Sequence, residues 1–409
     1  MDAAVRELFN HHDPHALFAD YRDRLYGKLG GPFPFRLAET PLFLTPALRD
    51  GLASAALEIA AQLSREDTLV ALKKAIPARY DVPRMDALPH CVQVDFAICK
   101  DERGEFCGRL VELQAFPSLY ALETVEADMW AEAMNRVPAL RRDWTPFFRD
   151  RERAMSLMRR SICGGEDPRE VALVDFQPHL QKTSPDFTAT KILFDVDSVC
   201  VTDLVKEGKK LFRVVDGKRV QVKRIYNRMV FDELEVKNVA VPFSWNEELD
   251  VTWCSHPNWY WAWSKFSLPF LDHPWVPRTR YLSDFSAPPE NLEDFVLKPL
   301  FSFAGSGVVV DVTKKDFDAV PGELRSQYLL QHKVEYAWTI RMPNAAPADD
   351  LDASNGVKAE VRVMLMRGGE GEPLEPLLPL VRLSRGKMLG VDQNKSADTL
   401  WTGGSVGIW

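Results

Sequence analysis

Apolar residues recur every third or fourth position through PALRDGLASAALEIAAQL (46–63), the repeat that gives a helix one buried stripe. Most of residues 1–85 read as helical in this way. The period then changes. HCVQVDFAICK and CGRLVELQAF are strand-like runs joined by the polar DERGEF, whose Gly104 suits a turn, so they read as a hairpin. Helical spacing returns over 119–162, in LYALETVEADMWAEAMNRV and RDRERAMSLMRRSI. CGGEDPRE breaks the pattern and marks a boundary. Beyond it, VALVDF is a short buried strand, KILFDVDSVCVTDL a helix–strand unit, and KLFRVVDGKRVQVKRIYNRMVF a hairpin turning at Asp216-Gly217. From about 245 the chain is rich in aromatics (HPNWYWAWSKFSLPFL). DFVLKPLFSFAGSGVVVDV reads as strand, glycine loop and second strand, and the tail alternates strands and turns. PNAAPADDLDASNG (343–356) reads as a mobile loop. These shifts suggest three parts: helices plus hairpin over 1–165, a small Rossmann-like α/β unit over 166–245, and a third region over 246–409.

Composition narrows the classes. With 409 residues and 46% hydrophobic positions, the chain can bury a large core, which excludes a disulfide mini-protein and a disordered chain. A net charge of −8 gives no general attraction to nucleic acid or anionic membrane. The nine Lys/Arg of 206–228 then read as a solvated face. None of the six cysteines is spaced as CxxC, so buried free thiols in a reducing compartment are expected. The N-terminal residues lack a secretory pattern and no run of about 18 apolar residues occurs. The expected setting is cytoplasmic, without membrane or nucleic-acid partners, as a monomer or homodimer.

Two constellations could carry chemistry. In VLKPLFSFAGSGVVVDV, Lys298 ends an apolar strand, and Ser302, Gly305, Ser306 and Gly307 follow in a loop where backbone N–H groups could approach phosphate oxygens. No Walker loop is present, and an ordinary glycine hairpin reads equally well from these residues alone. In the 91–118 hairpin, Asp95 lies on the first strand, and Glu112 and Gln114 share a face of the second. Their oxygens suit Mg²⁺, and a solvent-facing polar stripe is the alternative. In YLLQHKVEYAW, Gln331, Lys333 and Glu335 fall at alternate positions of an expected strand.

The order of these motifs resembles the synthetase part of glutathionylspermidine synthase and its relatives, the circularly permuted ATP-grasp proteins. The carrying segments are QVDFAICKDERGEFCGRLVELQAFPSLYALE, SKFSLPFL, RTRYLSDF and VLKPLFSFAGSGVVVDV. The chain departs from that family in having Gln114 where it has Asn, in having Gln93 where an arginine precedes its FDF strand, and in lacking an amidase-like domain. The resemblance implies an α/β (α+β) fold: an ATP-grasp core of antiparallel sheets, circularly permuted, with a small Rossmann-like preceding unit. It implies an ATP-dependent carboxylate–amine ligase working through an acylphosphate on small-molecule or peptide substrates. ATP would lie against Lys265, Lys298, the glycine loop, Gln331, Lys333 and Glu335. Asp95, Glu112 and Gln114 would hold Mg²⁺, Arg382, Arg362 and Lys298 would meet the transferring phosphate, and Ser118 would touch substrate. Asp392 and Asn394 form a second candidate metal pair. A nucleotide-binding protein without turnover and a small-molecule kinase are the alternatives on this fold.

Overall fold

The computed structural model describes residues 1–301, 307–343, 345, 351–386 and 400–409. It is a mixed α/β protein built on a seven-stranded sheet. In spatial order the strands are Leu42–Phe43, Gly403–Ile408, Glu375–Ser384, Gly356–Met366, Cys91–Lys100 and Phe106–Gln114, with Trp338–Arg341 also pairing to Gly356–Met366. All neighbours run antiparallel except the first two. Leu42–Phe43 was not foreseen, because two residues carry no readable period.

The sheet's sequence alternation decides its two faces. Val92, Val94, Phe96 and Ile98 point one way into the main core, while Gln93 and Asp95 point the other. Pairing continues the polar set sideways: Arg362 stands opposite Asp95, and Arg382 opposite Glu360. Helices Pro46–Leu63 and Tyr120–Asn135 pack against this sheet. The first starts at Thr45, whose hydroxyl accepts from the Leu48 amide, and continues from Pro46, whose missing N–H costs nothing at that position.

A second sheet is parallel, in the order Thr252–Cys254, Arg224–Asn227, Val171–Asp175 and Ser198–Cys200. It contains the Rossmann-like elements, with helix Ser184–Phe194 making the crossover to Ser198–Cys200. A three-stranded antiparallel sheet follows, with Tyr328–His332 between Thr279–Tyr281 and Phe295–Pro299. A separate ribbon, Val205–Glu207, Lys210–Val215 and Lys218–Val222, includes the expected turn at Asp216-Gly217. No helix among the described residues is long and apolar enough to cross a membrane. All six cysteines are free, and five are buried.

Three expectations need correction. VVVDV is no second strand: the segment contributes one isolated bridge, Leu297 to Val309. The strand after the loop ends at His332, so Gln331, Lys333 and Glu335 do not line one strand face. The basic 206–228 run is not wholly solvated, since Arg213, Arg224 and Arg228 are all buried. Part of the expected mobile loop, residues 344 and 346–350, lies outside the described residues, as do Ser302, Gly305, Ser306, Asp392 and Asn394.

Candidate functional site

The polar face of the large sheet and the Phe295–Pro299 strand meet at one residue. Asp95 pairs with Glu112 and Phe96 with Leu110, which leaves Val111 as a bulge with no cross-strand partner. Its carbonyl is therefore free to turn outward, and it accepts from Lys298 Nζ at 2.8 Å. Lys298 also donates to Gln331 Oε1 at 2.6 Å. Strand pairing sets Lys298 opposite Leu329 and Val296 opposite Gln331, so Gln331 is one step along the neighbouring strand. Lys298 is 7% exposed, and neither of these partners carries charge. Burial pulls its ammonium down to about 8, opposed by Glu112 and reinforced by Lys265. This is a cation held in place by dipoles.

Beside it lies a buried charge network. Arg362 grips Asp95 with two parallel bonds, Nε to Oδ1 at 2.6 Å and Nη2 to Oδ2 at 2.7 Å, and reaches Gln93 Oε1 at 2.7 Å with its remaining nitrogen. Arg382 bridges Asp95 Oδ2 at 3.1 Å and Glu360, which also accepts from Tyr336 at 2.9 Å. Burial alone would raise the Asp95 carboxyl, but Arg362 and then Arg382 outweigh it and hold it at about 2. The Glu360 carboxyl is raised by burial, and Arg382 offsets only part of that. Lys265, on the 3₁₀ turn Lys265–Phe270, is 3.3 Å from Glu112.

The expected metal set shares one face, as alternation requires, but it does not fit a divalent cation as arranged. Three guanidinium bonds occupy the Asp95 carboxylate. The Gln114 amide oxygen accepts from Arg362 Nη2 at 3.1 Å in the orientation that satisfies both ends of the amide, and Glu112 stands beside Lys265. Among the described residues no group of three or more His, Cys, Asp or Glu is placed to hold a metal. Asp95 is a strut between two arginines.

Elsewhere the expected residues separate. Lys333 pairs with Asp311 at 3.1 Å, and Glu335 is exposed. Gly307 begins the described chain after the loop in a left-handed conformation, φ +74°. Ser118 lies inside: its carbonyl accepts from Gln93 at 2.6 Å and its hydroxyl from Arg228 at 3.2 Å.

Arg228 is the residue that the sequence reading missed. In the parallel sheet, Val171–Asp175 leads to one side and Arg224–Asn227 to the other, so the crevice past their carboxyl ends is where open α/β sheets bind ligands. Arg228 follows directly on the carboxyl end of Arg224–Asn227. It is 2% exposed, pairs with Asp186 at 2.6 Å, and keeps its Nε without a hydrogen-bond partner. Asp175, at the neighbouring strand end, is raised to about 7 by burial, with Arg228 opposing. Only the strand-end position of Arg228 in RIYNRMVF could have signalled it.

No protein-family model matches the chain, and a search of curated proteins returns no match. Among solved structures, a glutathione synthetase-like effector (GSS30) from Globodera pallida, in its apo form, superposes with a TM-score of 0.54. The alignment covers 97% of both chains at 14% identity. The fold is glutathione synthetase-like, of ATP-grasp type. At that identity the likeness speaks for architecture and not for chemistry.

Proposed function

We propose that the protein binds ATP in the cleft at Lys298 and acts as an ATP-dependent carboxylate–amine ligase. The observation that carries this reading is the buried Lys298 ammonium, held by the Val111 carbonyl and Gln331 and facing no carboxylate partner of its own. A phosphate oxygen would complete its shell and return its pKa toward the ordinary lysine value. Lys265 would add a second cation, while Arg362 stays paired with Asp95. In the reaction a substrate carboxylate oxygen bonds to the γ-phosphorus as the bond to the β-phosphate oxygen breaks, releasing ADP. The amine nitrogen then bonds to the acyl carbon, the acyl C–O bond breaks and phosphate leaves. Arg382 is the cation proposed to meet the transferring phosphoryl group. Arg228 and Ser118 are proposed to seat the substrate carboxylate. The motif order supports a circularly permuted frame.

One observation favours a second reading, nucleotide binding without turnover. Asp95, the expected metal ligand, is saturated by arginines. Incubation with ATP, Mg²⁺ and a panel of acids and amines, with ADP release and product mass as readouts, separates the two. An amide with stoichiometric ADP supports the ligase, and a stable phosphorylated acid would place the protein among kinases. ATP binding with no product from any pair supports the silent reading.

A further inference from the structure

A cleft of about 520 Å³ opens at the amino-terminal ends of the parallel strands, away from Arg228 and Lys298. Arg224 and Thr252 begin two of those strands and line it. Arg367 lines it from the large sheet, five residues and roughly 16 Å along the strand from Arg362. Four guanidiniums line it: Arg84 pairs with Glu248 at 3.5 Å, Arg160 with Glu372 at 3.1 Å and Arg367 with Asp86, while Arg224 has no carboxylate partner among the described residues.

The two inner arginines are fixed, and Arg224 is answered by neutral oxygens alone among the described residues. Arg224 is 7% exposed, and its bonds go to neutral oxygens: the Ile162 carbonyl at 3.0 Å, the Ser161 carbonyl at 2.6 Å and Thr252 Oγ1 at 3.2 Å. Arg367 is 1% exposed and divides its bonds between Asp86 and the carbonyls of Pro89, Leu88 and Gly369. A β-carbon at Gly164, where φ is +61°, would lie 2.8 Å from the Arg224 Nη1, so this glycine makes the room for that guanidinium. His90 is held at about 3 by burial first, then by Arg367 and Arg224, while His256 is held at about 4 by burial. A buried Arg224 answered only by dipoles is a cation that an anion would neutralise.

We propose that this cleft is a second binding site, distinct from the nucleotide cleft, for a small molecule bearing phosphate or carboxylate groups. The inner pair Arg224 and Arg367 supplies preorganised forks, and Arg84 and Arg160 at the rim, 54% and 50% exposed, steer the anion in.

Calorimetric titration of the full chain with inorganic pyrophosphate and with citrate tests it, and the tighter of the two names the ligand chemistry. The expected result is saturable binding that weakens about tenfold in Arg84→Gln/Arg160→Gln and is unchanged in Lys298→Ala. Imidazole resonances of His90 and His256 should shift with the bound probe. No saturable binding of either probe, equal affinity in the rim variant, loss in Lys298→Ala, or unmoved imidazoles would each overturn the proposal.

Discussion

One strand, Gly356–Met366, carries two buried arginine sites that differ in how charge is balanced. At its middle, Arg362 and the facing Arg382 are answered by Asp95 and Glu360, carboxylate for guanidinium. Just past its end, Arg367 shares a cleft with Arg224, and most of their bonds go to carbonyls. The first site has closed its own electrostatics, so its oxygens are taken. In the second, Arg367 is answered by Asp86, but Arg224 has no carboxylate partner among the described residues, and the cleft has room for a ligand. Lys298 resembles Arg224 although it lies beside the first site: a buried cation whose hydrogen-bond partners among the described residues are an amide and a carbonyl. Ligand-binding capacity therefore follows unanswered charge and not the number of charges in a cluster.

The largest effect is expected at the closed site. Asp95→Ala leaves Arg362 buried without its carboxylate and should cost about 4 kcal/mol in urea denaturation. A loss below about 1 kcal/mol would show that Asp95 is no strut.

The next separates the two sites by pH. His90 and His256 are depressed bases, so their contribution is whole above about 6.5 and fades as pH falls and the unfolded chain takes up protons that the folded chain refuses. Each should remove about 2 kcal/mol between pH 6.5 and about 5. Asp95 is a depressed acid. Its contribution is whole above the ordinary value of 3.8 and is lost only as pH falls from there through about 2. Stability that stays flat down to about pH 4, with His90→Gln changing nothing, would erase the contrast.

A smaller effect is expected from Gly164→Ala, about 1–2 kcal/mol from the left-handed φ and displacement of Arg224. Unchanged stability and pyrophosphate affinity would mean that Arg224 needs no such room. Smallest is the effect of divalent cations. With Asp95 closed, excess EDTA should change ATP affinity by about twofold or less, measured by calorimetry. A hundredfold loss would reopen Asp95 as a metal ligand.

Much of the fold was legible because it is written in local period: the 91–114 hairpin, the helices on either side of it, and the turn at Asp216-Gly217. Lys298 was legible from its place at a strand end. What stayed hidden depends on pairing across long separations. Alternation in AEVRVMLM puts Glu360 and Arg362 on one face, but nothing local says that this face meets Asp95, 267 residues away. Gln93 and Tyr336 joined the site for the same reason. The bulge at Val111 is one extra residue in a strand, invisible in composition, yet it aims the carbonyl that seats Lys298. Arg213, Arg224 and Arg228 were hidden inside a basic run whose other members are exposed or half-buried. Burial depends on where the strand lies, and the sequence of that run is the same either way.

The account rests most on Lys298, and ATP-induced thermal stabilisation of the Lys298→Ala protein tests it most directly. Without ligand, the variant should unfold within a few degrees of wild type, because the stem of the lysine is replaced beside a bulge carbonyl and an amide that can bond to water. With ATP, wild type should gain stability in proportion to occupancy, and the variant should lose most of that gain. Equal ATP-induced shifts in the two proteins would show that Lys298 is an ordinary strand-end lysine, and would contradict the nucleotide site proposed for this fold.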